Sequence, residues 1–341
     1  MNNELINEKF KQLFIEHRLD VKRASFLLAV SGGLDSICMF DLFIKNNLKF
    51  STCHCNFNLR GSDSLEDLKF VKKISKVNGI SFYSKNFDVT KDSINNKISV
   101  QLSARNLRYK WFGELINKKK IDFLCTAHHL NDNLETVLYN ITKSTGYKGV
   151  RGIRILRDKI FRPLMNFTKN DLEAYATSNN LIWREDTSNS LTKYNRNSIR
   201  LNVVPHLKKI NPSLENSIHD TSIRFSAFEK FIKFSLSNVV KRCVNSSDDE
   251  LKIKINLWEK KDKNFFLFKE YIIGFGFNYD QSKNIINSLK GTPGKVFESK
   301  DYKLFVDRKS IFLLPKKEEK NFNIKVDKKG FYKFYKKKNT V

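Results

Sequence analysis

The sequence predicts an α/β protein: a parallel, doubly wound sheet with helices on both faces, followed by a second, smaller, mainly helical α+β domain. Three observations carry this. Short apolar runs alternate with helical patterns through the first half, the rhythm of βα units. The three richest polar segments, 31–36, 56–61 and 128–132, each follow one of those runs, where α/β sheets bind their ligands. At 341 residues the chain also exceeds what one small module needs.

Taken in order, residues 1–20 mix Glu, Lys, Asp and Arg with apolar positions and lack the apolar stretch of a signal peptide. Strands are expected at 26–30, 50–57, 80–87 and 121–127, and helices at 36–46, 64–78, 101–118 and 133–142. A Gly-rich stretch at 146–152 reads as a flexible connection, before a short apolar run at 161–164. Thr168 and Asp171 form a capping box that starts a helix over 168–179. A further helical pattern ends near Lys209, and Asn211-Pro212 marks the domain boundary, giving domains at 1–212 and 213–315 and a basic tail at 316–341. The second domain opens on a long amphipathic helix over 213–244, broken by Ser246-Ser247-Asp248-Asp249. A strand at 251–257 and helices at 263–274 and 280–290 follow, and Gly291-Thr292-Pro293-Gly294-Lys295 reads as a turn because no helix follows it. The tail interleaves Lys with Phe and Tyr, as either an RNA-contacting segment or a solvated end.

The formal net charge of +27, from 63 Lys+Arg against 36 Asp+Glu, makes a polyanion such as nucleic acid the leading partner. Compositional drift towards Lys and Asn is the competing explanation. Five scattered cysteines form no plausible disulfide framework and fit a reducing cytoplasm. Cys53-His54-Cys55 lies in an alternating strand pattern without a second ligand pair, so Cys53 and Cys55 read as core residues sharing one face. No run approaches the ~18 apolar residues of a membrane span.

The most informative stretch is Ser31-Gly32-Gly33-Leu34-Asp35-Ser36, directly after the first strand. Two glycines let the backbone turn tightly and bring N–H groups to an anion, and Ser31 and Ser36 add hydroxyls at a helix N-terminus. A kinase-type P-loop would carry a Lys here; this loop carries Asp35. An acid beside a triphosphate is repulsive unless a divalent cation lies between them. The loop therefore points to Mg²⁺-ATP, bound so that pyrophosphate leaves.

Assembled, these segments resemble the tRNA(Ile)-lysidine synthetases, members of the PP-loop superfamily of N-type ATP pyrophosphatases. The resemblance covers about 25–215 and rests on the 29–36 loop, His54-Cys55-Asn56-Phe57-Asn58-Leu59-Arg60-Gly61, Ala104-Arg105-Asn106-Leu107-Arg108-Tyr109 and the His128–Thr136 stretch beginning His128-His129-Leu130-Asn131-Asp132. It continues through the 146–153 loop, Arg162-Pro163-Leu164, Glu185-Asp186-Thr187-Ser188-Asn189 and Tyr194-Asn195-Arg196-Asn197-Ser198-Ile199-Arg200. It implies an adenine-nucleotide α-hydrolase-like PP-loop catalytic domain, then a tRNA-binding middle domain. It also implies that ATP adenylates the C2 oxygen of the wobble cytidine in tRNA(Ile) with a CAU anticodon, and that L-lysine then displaces AMP. Ser31, Gly32, Gly33, Leu34, Asp35 and Ser36 become nucleotide-binding residues; Asp35, Asp132, Glu135, Arg105 and Arg196 become catalytic candidates, with Arg108 as a further phosphate contact. Asp35 and Asp132 are the metal candidates, while Asp132 and Glu135 share the roles of metal ligand, ammonium acceptor and base without a division between them. Of His128 and His129, adjacent at a strand end, at most one is expected to face the site. The family usually has Asp where this chain has Asn131. The rival readings are another PP-loop enzyme, a tRNA thiolase, which needs reactive cysteines, and a nonenzymatic RNA-binding protein, which leaves the loop unexplained.

Overall fold

The computed structural model describes residues 3–59, 61–185, 195–247 and 250–316, and the chain divides into two compact units, 1–229 and 230–341. The first contains α1 (Asn3–Glu16), β1 (Phe26–Ala29), α2 (Leu34–Lys45), β2 (Phe50–Asn56), α3 (Ser62–Val77), β3 (Phe82–Asn86), α4 (Val89–Asn96), α5 (Val100–Lys119), β4 (Phe123–Thr126) and α6 (Leu130–Thr142). It continues through α7 (Gly146–Val150), β5 (Leu156–Arg157), β6 (Ile160–Phe161), α8 (Lys169–Ser178), α9 (Asn195–Ser198), a π-helical turn (Ile199–Val203), α10 (Val204–Ile210) and the first half of α11 (Leu214–Cys243).

The six strands are ordered β3-β2-β1-β4-β6-β5, parallel except for the β5–β6 pair. The central strand β1 shows why the fold is doubly wound. Its alternate residues Phe26 and Leu28 join a core with α1, α2 and α8, while Leu27 joins the opposite core with Trp111, Phe112 and Ile116 of α5. In the first core Phe10, Phe14, Phe26, Phe43 and Phe161 meet edge to face, with centroids 4.8–6.0 Å apart. Each such buried ring contributes about 1.5–3 kcal/mol. The chain passes from β1 to β2 on one side and returns to β4 on the other, so the crevice beyond the carboxyl ends of β1 and β4 is the topological switch point.

Three local expectations change. The Gly-rich 146–152 stretch holds a helix, α7, locked to α6 by Asn140 Nδ2 donating to the Gly149 carbonyl and Thr145 Oγ1 donating to the Asn140 carbonyl. A Cβ on Gly149 would lie 1.7 Å from Thr145 Oγ1, so the glycine serves close packing, not flexibility. A separate helix, α4, capped by Asp88 on the Lys91 N–H, precedes α5. The compact units divide inside α11 after Glu229, seventeen residues beyond the expected 212/213 boundary. Arg151 and Arg154 both clasp Glu229, and Asn133 donates to Ser222 at 3.1 Å, which ties the first half of that helix to α6 and the loop after α7.

The second unit carries a five-stranded antiparallel sheet where the sequence pattern named only one strand. Its members are β7 (Val244–Ser246), β8 (Leu251–Lys254), β9 (Val296–Glu298), β10 (Tyr302–Val306) and β11 (Ser310–Pro315), ordered β7-β8-β11-β10-β9. The strand expected over 251–257 stops at Lys254, where α12 (Ile255–Glu259) begins and buries Trp258. With α13 (Phe266–Ile273) and α14 (Tyr279–Ser288), that Trp packs a core of Phe268, Ile272, Ile285, Leu304 and Ile311. The 317–341 part of the tail lies outside the described residues. Among those described, no helix is long and apolar enough to cross a membrane.

Candidate active site

The β1–α2 loop is organised by its own serines. Ser36 Oγ accepts from the N–H groups of Ser31 and Gly32 at 3.2 Å each and donates to the Gly33 carbonyl at 2.8 Å; Ser31 Oγ accepts from the Gly33 N–H at 3.3 Å. Ser36 thus shapes the loop from within. Gly32 sits at φ +98°, a conformation that disfavours any side chain. α2 begins at Leu34 without a side-chain cap, which leaves its first-turn N–H groups and the positive end of its dipole at the cavity that Gly33, Leu34, Asp35 and Ser36 line.

That cavity measures about 810 Å³ and is lined by Ser31, Gly33, Leu34, Asp35 and Ser36 of the β1–α2 loop and by Thr126, His128 and Asp132 at the end of β4 and the start of α6. Cys53, His54, Cys55, Arg108, Lys169, Glu173 and Trp183-Arg184-Glu185 line it as well. Its size suits a nucleotide. It lies at the switch point that the sheet order defines.

Of the two histidines only His128 lines the cavity, while His129 is buried beside the acids Asp35 and Asp132. β4 ends at Thr126, so the strand alternation does not extend to 128 and 129. His129 is buried, its Nε2 lying 3.5 Å from Asp35 Oδ2 and 3.7 Å from Asp132 Oδ2. Burial pushes its pKa down, but the Asp35 hydrogen bond and the charges of Asp132 and Asp35 outweigh that and leave it raised. His128 lines the cavity with Nδ1 2.9 Å from Thr126 Oγ1; burial lowers its pKa, with the Asp132 charge opposing and Arg162, Arg105 and Arg196 adding to the fall. Burial raises the Asp132 carboxyl, but His129, His128 and the His129 N–H at 3.0 Å bring it below its ordinary value.

The donor set fits a divalent cation on one further observation. Asp35 Oδ1 is buried without a hydrogen-bond partner at the mouth of the loop, and Asp132 lines the same cavity. Mg²⁺ is commonly held by one or two carboxylates together with substrate phosphates and waters, so a third protein ligand is not required.

The remaining candidates scatter. Glu135 is buried and both its oxygens are taken by Arg200, at 2.6 and 3.0 Å from Nε and Nη2. Arg108 reaches the cavity and stacks on Phe57 at 5.0 Å, whereas Arg105 is exposed over Tyr109 at 5.0 Å. Arg196 donates to Thr136 Oγ1 at 2.8 Å on the exposed side of α6. Asn131 is engaged by other partners: its Oδ1 accepts from the Lys169 N–H at 2.9 Å and its Nδ2 donates to Glu215 at 2.8 Å. Arg60, 186–189 and Tyr194 lie outside the described residues. Sequence reasoning passed over Arg200 and Arg184 as individual residues and gave Arg162, buried with Nη1 donating to the Arg154 carbonyl at 2.6 Å, no role. Nothing in a linear pattern distinguishes an Arg that clasps an acid from one that waits for phosphate.

Cys53 is buried, as expected, whereas Cys55 is only half-buried, and both line the cavity. Burial pushes the Cys55 thiol up to about 12 and the Cys53 and Cys125 thiols well above their ordinary range, so none is an activated nucleophile. Among the described residues no group of three or more His, Cys, Asp or Glu side chains is placed to hold a metal.

Comparison with known proteins adds three findings. A model of the PP-loop domain matches residues 2–207, and one of the TilS substrate binding domain matches 246–316. The chain is 32% identical over 290 residues to a tRNA(Ile)-lysidine synthase of Porphyromonas gingivalis, covering 85% of this chain and 63% of that one. It thus spans just under two thirds of that relative's length. It is 33% identical over 322 residues to the tRNA(Ile)-lysidine synthase of Parabacteroides distasonis, covering 93% and 72%. Among solved structures, the U34-tRNA thiolase NcsA from Methanococcus maripaludis superposes with a TM-score of 0.54 at 18% identity, covering 65% of this chain and 78% of that one, a likeness of fold.

Proposed function

Because the chain belongs to the tRNA(Ile)-lysidine synthase family of PP-loop enzymes, we propose that it ligates L-lysine to C2 of the wobble cytidine of tRNA(Ile) bearing a CAU anticodon. The cytidine C2 oxygen attacks the α-phosphorus of ATP and pyrophosphate leaves. The lysine amine then attacks C2, loses a proton, and AMP departs with its oxygen. The observation that carries this reading is the uncapped α2 N-terminus and its acid, Asp35, opening into a nucleotide-sized cavity at the sheet's switch point.

The loop N–H groups and the dipole of α2 face the charge that develops on pyrophosphate, stabilisation that needs no reorganisation. Asp35 and Asp132 would hold Mg²⁺, which when bound neutralises phosphate charge. His129, with Nε2 3.5 Å from Asp35 Oδ2 and 3.7 Å from Asp132 Oδ2, fixes their orientation. Arg108, which lines the cavity, would contact the nucleotide phosphates; Arg105 and Arg196, exposed and not among its lining residues, suit the phosphates of the tRNA. Glu135, clasped by Arg200, can receive the lysine ammonium only by sharing or exchanging that partner, and Asp132 is the acid better placed to accept its proton. The raised cysteine thiols speak against the thiolase alternative. A cytoplasmic location is the setting this reaction requires.

The test is product stoichiometry with Mg²⁺, ATP, lysine and the tRNA transcript: one AMP and one pyrophosphate per tRNA modified. ADP and orthophosphate as the stoichiometric products would overturn the reading. Asp35→Ala should abolish adenylation and leave tRNA affinity nearly intact.

A further inference from the structure

Arg184 lines the candidate cavity, yet it is not free to meet a phosphate. Its Nε donates to Asp67 Oδ1 at 2.5 Å and its Nη2 to Glu66 Oε2 at 2.8 Å, so two acids of α3 take the guanidinium. The same residue's main chain runs beside the pyrophosphate loop: its N–H donates to the Gly32 carbonyl at 3.0 Å, and its carbonyl oxygen lies 3.9 Å from where a Cβ on Gly33 would be. Gly32 in turn lies over Phe70 and Val71, with a Cβ there meeting their side chains at 3.5 and 3.6 Å. Phe70 and Val71 stand three and four residues beyond Asp67, on the same face of α3. Loop, α3 and residue 184 therefore form a closed triangle around the one loop position held at positive φ.

We propose that Arg184, clamped by Glu66 and Asp67, is a positioning residue that holds the pyrophosphate loop in its anion-binding shape. The backbone hydrogen bond to Gly32 is only as well placed as the segment that carries it, and the two charge-assisted bonds fix that segment to α3. Asp67 is buried, which keeps water from competing for its part of the clamp. The reaction that the loop serves rests on the function proposed above; the shape of the loop does not.

Charge and positioning make opposite predictions for the acids. Removing negative charge beside a polyphosphate site would tighten nucleotide binding by electrostatics alone. Removing a clamp loosens it. The experiment uses the full-length protein with Arg184→Ala, Arg184→Lys and the double variant Glu66→Gln/Asp67→Asn. Amide hydrogen exchange without nucleotide should accelerate about tenfold or more in peptides spanning 31–36, while exchange in β4 and α5 stays at the wild-type rate. The Kd for Mg²⁺-ATP should rise about tenfold in both Arg184→Ala and the double acid variant, with Arg184→Lys between them and wild type, since an ammonium keeps the charge but not the fork. Unchanged exchange at 31–36, acceleration spread evenly over the domain, or tighter ATP binding in the acid variant would each overturn the proposal. If the wild-type protein bound no ATP, the functional reading would fail on its own, and the exchange data would still decide whether Arg184 shapes the loop.

Discussion

Asn131 concentrates what single side chains contribute to this site. The sequence leaves it as a gap in the acidic set; in the folded chain its amide accepts from the first N–H of α8 and donates to Glu215, which also receives Lys208 Nζ at 2.8 Å. An amide can do both at once, and a carboxylate cannot. Asn131→Asp would set a second negative charge against a buried Glu215, so we expect it to destabilise the protein by roughly 1–3 kcal/mol in urea unfolding, and to leave lysine transfer no faster than wild type. Asp132→Asn and Glu135→Gln should each depress transfer sharply; wild-type rates in both would remove these acids from the mechanism. The types and spacing of Asp35, Asp132 and Glu135 were legible because they cluster after strands. Their partners were not, since Glu215 lies 84 residues from Asn131 and Arg200 lies 65 from Glu135.

At the scale of elements, periodicity located β1, α2, β2, α3, β4, α6 and α8 within a few residues, because each pairs a strong apolar pattern with a turn or cap. It failed where tertiary contacts override composition. The 146–152 stretch carries the glycines of a loop, yet Asn140 binds its backbone at Gly149 and Asn133 binds Ile153 just beyond it, which folds it against α6. Gly152, at φ +67°, would place a Cβ 2.1 Å from Asn133 Oδ1, the atom that accepts the Ile153 N–H at 2.8 Å. Gly152→Ala should therefore cost about 2–4 kcal/mol by thermal unfolding, from steric displacement of a buried hydrogen bond and the left-handed backbone together. A cost under ~0.5 kcal/mol, within the range of ordinary surface changes, would show that the segment is free to shift. The antiparallel sheet of the second unit was missed for the opposite reason. Its strands β9, β10 and β11 are short and set among Lys-rich turns, so alternation is brief, and the β11–β8 ladder that completes the sheet joins segments more than fifty residues apart.

For the whole molecule, the charge of +27 and a site built for a nucleotide call for a large polyanion beside a small-molecule reaction. The dispersed Lys residues of the second half suit phosphate contacts, so log K for tRNA should fall with log salt at a slope of roughly 0.7–0.9 per phosphate engaged. Truncation after Pro315 removes the Lys- and aromatic-rich tail and leaves every residue of the candidate site in place; it should lower that slope and weaken tRNA binding while adenylation persists at saturating tRNA. An unchanged slope would make the tail a solvated end. The central claim, that this fold joins lysine to a cytidine through an adenylated intermediate, is tested most directly by nucleoside analysis of the tRNA after incubation with ATP, Mg²⁺ and isotopically labelled lysine. One labelled, lysine-bearing nucleoside is expected at the wobble position of the CAU transcript, absent when ATP is omitted and absent with Asp35→Ala. Unmodified cytidine at that position after complete turnover conditions, or label incorporated without ATP, would contradict it.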